Sequence, residues 1–174
     1  MSEGRSGMHA LAQLRTDFDN GFAQAPRISA DHESVVQIRV GGEAFAIRTG
    51  DIAGLVKSRK IVPLPSRMPE LLGLTALRGS LIPVYDLAAL LGLSPGPGPS
   101  WLILATGDTP IGLAFEGFEG RQVPEWLSER SERHYVRQLV RTGSTVRAVL
   151  DVPGLSEAIR KRAGITKPAK EDNL

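Results

Sequence analysis

Three histidines, His9, His32 and His134, carry the only side chains of this sequence that ordinarily titrate near neutrality, and none stands four residues from another, the spacing that puts two metal ligands on one helix face. The chain has no cysteine, which excludes disulfides, thiolate nucleophiles and thiolate-held zinc or iron–sulfur sites, so neither a metal nor a cofactor is expected. Asp86 has no histidine or second carboxylate beside it in sequence and reads as a helix cap rather than an acid catalyst. Gly96 and Gly98 alternate with prolines instead of leading from a strand into a helix, so they cannot cradle a phosphate, and no Gly-x-Ser-x-Gly nucleophile elbow occurs. No catalytic residue is expected, and the chain reads as a non-enzyme.

What remains is recognition chemistry. Arg78 precedes Gly79 at an expected turn tip, where its five guanidinium donors either meet a partner's carboxylates and carbonyls or stand in solvent. Ile52, Leu55, Val56, Ile82 and Val84 are read mostly as core, with two or three of them lining a groove for the apolar face of a helix. The basic runs Lys57-Ser-Arg-Lys60 and Arg160-Lys-Arg162 lack interleaved aromatics and read as solvated faces. A formal net charge of +2 is too small to imply nucleic acid, although a two-barrel nucleic-acid binder is the alternative from a different class.

The elements that must position these residues follow from spacing. A length of 174 residues with 41% hydrophobic content suits one domain with a real core. No apolar leader and no run of about 18 apolar residues is present, so a cytoplasmic, not membrane-inserted protein is expected. Leu11, Leu14, Phe18 and Phe22 recur at helical spacing and predict an N-terminal amphipathic helix, docked on its own domain or detachable, with residues 1–33 as extension and linker. Val36, Ile38 and Val40 alternate as a half-buried strand, Gly41-Gly42 turns the chain, and residues 43–48 return. Residues 52–56 are read as one or two helical turns and 61–64 as a strand limited by Pro63 and Pro65.

Residues 71–77 and 80–85 form the expected strands around the Arg78-Gly79 turn, followed by a short helix that Asp86 caps and Gly92 stops. The Pro-Gly alternation of residues 94–100 makes a loop. Strands at 101–106 and 111–115 flank a turn at Gly107, and strands at 135–141 and 145–150 flank Gly143. A helix follows from Asp151 to its stop at Gly164, then a tail. Superposing Gly79 on Gly143 brings Asp86 within one residue of Asp151, and the hairpins at Gly42 and Gly107 precede these two blocks at similar distances. Two similar β lobes, curled into barrels to hide their edges, are expected, with a binding groove between them.

The run Gly73-Leu-Thr-Ala-Leu-Arg-Gly-Ser-Leu-Ile-Pro-Val-Tyr-Asp-Leu resembles the signature of the CheW family, and Ile61-Val-Pro-Leu-Pro and Leu150-Asp-Val-Pro-Gly-Leu are similar to it in order and spacing. The resemblance spans residues 34–160, within a domain drawn here as 34–164 with a tail at 165–174. It implies an all-β fold of two SH3-like five-stranded barrel lobes and a non-catalytic adaptor in chemotaxis signalling. The partners implied are the regulatory domain of a CheA-type histidine kinase and the cytoplasmic tip of a chemoreceptor, with recruitment to membrane receptor arrays. Arg78, Gly79, Ile52, Gly54, Ala76 and Val84 are the implied receptor-groove residues, and Gly73, Asp86, Gly143 and Asp151 the structural ones. Three positions depart from the family's pattern. Ala76 replaces a common Asn, Gly54 a frequent Glu, and Glu116 an Asp. These leave open a CheW-like scaffold of a specialised signalling or motility pathway with altered receptor binding.

Overall fold

The structure, a computed structural model, describes residues 34–165; the expected N-terminal helix and most of the tail lie outside them. Alternation builds β1 (Val35–Val40) and β2 (Glu43–Arg48), joined through Gly41 and Gly42 at φ 57° and 80°, the two left-handed residues that match a tight turn to the twist of its strands. A 3-10 turn at Thr49–Asp51 leads into β3 (Ile52–Lys57), then β4 (Leu71–Leu77), β5 (Ser80–Asp86) and α1 (Leu87–Leu90). Beyond the 94–100 loop come β6 (Trp101–Ala105), β7 (Gly112–Phe115), β8 (Gly117–Gln122), β9 (Glu125–Trp126), β10 (Val136–Thr142), β11 (Thr145–Leu150) and α2 (Val152–Arg162).

Residues 52–56 are therefore strand, not helical turns, and the reason is a bulge. In β3 the register slips between Ile52 and Gly54, so Ile52 and Leu55 reach the same core at a spacing of three, which imitates a helix. The same slip between Leu71 and Gly73 in β4, and between Val136 and Gln138 in β10, brings Leu71, Val136 and Leu139 to that core. The strand expected at 61–64 is reduced to one bridge, Val62 to Leu74, because Pro63 and Pro65 have no amide hydrogens to extend it. Strands β8 and β9 were not expected.

The strands make two curled sheets in the SH3-like manner, one of six strands in the order β8-β1-β2-β11-β10-β9 and one of five, β3-β6-β7-β5-β4. The Gly42 hairpin pairs through β2 with β11 of the Gly143 hairpin, and the Gly107 hairpin pairs through β7 with β5 of the Gly79 hairpin. Each half of the chain thus gives its first hairpin to one lobe and its last hairpin to the other. The exchange is symmetric in detail, with Asp86 capping α1 and Asp151 capping α2.

Both helices cross back. A Cβ on Gly41 in the β1–β2 turn would sit 2.9 Å from Leu93 Cβ, just after α1, and Arg160 of α2 donates to the Thr109 carbonyl in the β6–β7 turn at 2.9 Å. Arg162 forks onto both oxygens of Glu70 at 3.0 and 3.1 Å, tying α2 to the approach to β4.

The largest core lies between the two sheets. Nineteen buried residues, among them Phe45, Ile47, Tyr85, Leu87, Ile103, Leu113, Leu150 and Ile159, form it, against four inside the six-stranded lobe and three inside the other. Each buried aliphatic or aromatic side chain stabilises by roughly 1.5–3 kcal/mol, so the junction between lobes holds most of the burial energy. It is filled, and the expected open groove is confined to its margins.

Candidate functional site

The β4–β5 hairpin projects past that core. Along β5 the side chains of Leu81, Pro83 and Tyr85 share one face, Ile82 and Val84 the other. Tyr85 closes into the core between lobes, while Leu81, paired with Ala76, is 69% exposed. Leu74 pairs with Pro83, and Val62 bridges to Leu74 from outside, 54% exposed. Partners in register point to the same side, so Val62, Leu74, Pro83, Ala76 and Leu81 make one apolar row that runs from the core to the hairpin tip. Exposed Arg59 and Lys60 stand in the adjoining segment.

Arg78 and Gly79 form the tip, at φ 50° and 79°. Glycine occupies this region freely, whereas a residue with a Cβ is strained there by about 1 kcal/mol or more. Arg78 bears this cost at an exposed turn, with no hydrogen bond or ion pair among the described residues.

Gly73 supports the row from beneath. At φ 144° it lets the 61–63 backbone pass so closely that a Cβ would lie 2.0 Å from the Val62 carbonyl oxygen, and Val62 and Leu74 exchange hydrogen bonds at 2.8 and 2.9 Å there. Gly143, at φ 62°, turns the matching hairpin of the other lobe. Glu116 accepts a hydrogen bond from the Gly42 amide at 2.7 Å and packs against Gly96, so it fastens the β1–β2 turn to the Pro-Gly loop. Asp86 accepts from the Ala88 amide at 3.0 Å, and Asp151 from Gly154 at 3.1 Å while its Oδ1 lies 2.7 Å from Arg137.

The structure brings Arg78, Gly79 and Ala76 together at the tip. It does not bring Ile52 or Val84 there: at 6% and 0% exposed they are core, since the bulge turns Ile52 between the lobes and alternation turns Val84 into its own barrel. Gly54 lies on edge strand β3 with Leu104 3.5 Å from where its Cβ would be, away from the hairpin tip in strand order. Sequence reasoning passed over Leu74, Leu81 and Val62. Their signal was that both faces of residues 80–86 are apolar although only one can enter a barrel.

Among the described residues no group of three His, Asp or Glu side chains is placed to hold a metal, and no helix is long and apolar enough to cross a membrane. The family model of the CheW-like domain matches residues 34–160. The chain belongs to the CheW-like family. Among solved structures, the scaffolding protein TtCheW from Thermoanaerobacter tengcongensis is similar in fold to this CheW-like chain, with a TM-score of 0.59 and 19% identity over 68% of this chain and 88% of that one. No curated protein matches.

Proposed function

We propose that this CheW-like chain is a non-catalytic chemosensory adaptor that couples the cytoplasmic tip of a chemoreceptor to the regulatory domain of a CheA-type histidine kinase, in the cytoplasm and at receptor arrays. The observation that carries the reading is the β4–β5 hairpin, whose apolar row ends in Arg78, held left-handed and unpaired among the described residues. Receptor tips present helices, and an apolar row of this length closed by one cation suits an amphipathic helix with a carboxylate or a free carbonyl at its edge.

Calorimetric titration with a receptor-tip fragment and with the kinase regulatory domain tests it. Both should bind with dissociation constants on the order of micromolar. Arg78→Gly relieves the backbone and should leave the fold at least as stable, yet weaken the receptor arm about tenfold or more and spare the kinase arm. Binding of neither partner would refute the adaptor reading.

A second reading rests on Ala76, which stands exposed opposite Leu81 and offers a methyl where the family commonly carries an amide. A scaffold of a specialised pathway that binds the kinase without the receptor follows from it. In the same titrations only the kinase arm would then respond, and Ala76→Asn would restore the other.

A further inference from the structure

On the six-stranded lobe, away from the hairpin tip, Arg48, Ser128, Arg130, Arg137 and Gln138 enclose an open cavity of about 470 Å³. Three guanidinium groups from three separate parts of the chain converge on it: the end of β2, the segment after β9, and β10. Arg48 lies over the Trp126 ring at 4.6 Å and donates from Nη2 to Gln138 Oε1 at 3.3 Å, while Gln138 donates to the Leu127 carbonyl at 3.0 Å. Stacking and that long bond fix the plane of Arg48 without neutralising it. Its Nε is shut off from solvent with no acceptor, and no carboxylate among the described residues pairs with it.

Arg137 is held from behind by Asp151 at 2.7 Å and Asp51 at 3.6 Å. Arg130 is exposed and makes no ion pair among the described residues. Three cations stand against two carboxylates, Asp151 and Asp51, of which Asp51 also feels the charge of Arg48, so the cavity keeps a net positive charge, with the Ser128 hydroxyl as a further donor. Guanidinium donors that converge from three sides on one open cavity are the arrangement that recognises a tetrahedral oxyanion, which accepts from several directions at once.

We infer that the cavity between Arg48, Arg130 and Arg137 binds a phosphoryl dianion, either free or as a phosphate monoester. The site is distinct from the partner-binding row and does not rest on the adaptor reading.

Amide and side-chain NMR of the full chain, titrated at pH 7.5 with phenyl phosphate, with inorganic phosphate and with sodium acetate at matched ionic strength, tests it. Saturating shifts at Arg48, Ser128 and Gln138 are expected with both phosphates. Tighter binding of phenyl phosphate would assign the source as a monoester, and equal or tighter binding of inorganic phosphate would assign the free ion. Arg130→Ala, on an exposed segment that the core does not need, should weaken binding on the order of tenfold. Arg48→Lys should weaken it as well, because an ammonium cannot fork. Shifts that acetate reproduces, or that Arg130→Ala leaves unchanged, would overturn the assignment.

Discussion

At the scale of single residues, the charges that matter most are those that burial has removed from water. Glu119, the bulged residue of β8, meets Arg39 through Oε1 and Arg147 through Oε2, each at 2.6 Å, and Arg147 is only 8% exposed. Removing the carboxylate strands a buried guanidinium, so Glu119→Ala should cost about 3 kcal/mol in urea unfolding, well above the usual loss for a surface ion pair. Asp51 is the opposite case. Burial chiefly lifts its carboxyl above the ordinary 3.8, Arg137 and Arg48 pull it down, and Asp151 lifts it again. The folded state therefore holds this proton more tightly than the unfolded chain, and ionisation costs stability as pH rises through the interval above 3.8. Asp51→Asn should be at least as stable as the parent at pH 7, with the gain shrinking as pH falls toward 3.8. Asp151→Ala, which removes the cap of α2 and its pair with Arg137, should lose about 1 kcal/mol under the same assay.

At the scale of elements, the bulges decide what the sequence could reveal. The hairpins at Gly42, Gly79 and Gly143 were legible because a glycine-bearing turn sits between two apolar, strand-like runs, and both helices because each has an aspartate before it and a glycine after it. Strand β3 was illegible because its extra residue converts a period of two into a step of three. Strand β8 carries Gly117, Gly120, Glu119 and Arg121 in six residues, and it pairs only as an edge, where no apolar alternation is demanded. The exposed apolar row was half legible: Arg78 and Gly79 came from the motif, whereas Leu74, Leu81 and Val62 needed the register between strands and a bridge across a proline-bounded segment. Gly73 shows how tight that support is. Gly73→Ala should destabilise by about 2 kcal/mol or more, since its Cβ meets backbone rather than a movable side chain, and hydrogen exchange at Val62 and Leu74 should quicken before the rest of β4.

At the scale of the whole molecule, the exchanged hairpins make the two lobes one cooperative unit. Sequence spacing disclosed the repeat, but not that its halves interlock, because pairing partners are chosen by packing across the chain and leave no local trace. Residues 94–100 are all exposed, and a Cβ on Gly98 would meet nothing. A protease site inserted between Pro97 and Gly98 should be cut without loss of fold. The two fragments should then elute together by size exclusion until denaturant is added, and neither should fold alone. Separation under native conditions would show that the interlock is weaker than the shared core implies.

That interlock also sets an order of assembly on the ribosome. The five-stranded lobe has all its strands once Phe115 has been made, but β1 and β2 belong to a sheet whose remaining strands begin at Gly117 and end at Leu150. At roughly 5–20 residues per second, the first hairpin spends several seconds with Val35 and Ala46 uncovered while the rest of its lobe is still being synthesised. The earliest structure to form is thus among the last to be buried, and the nascent chain, more than the finished protein, is where aggregation would begin.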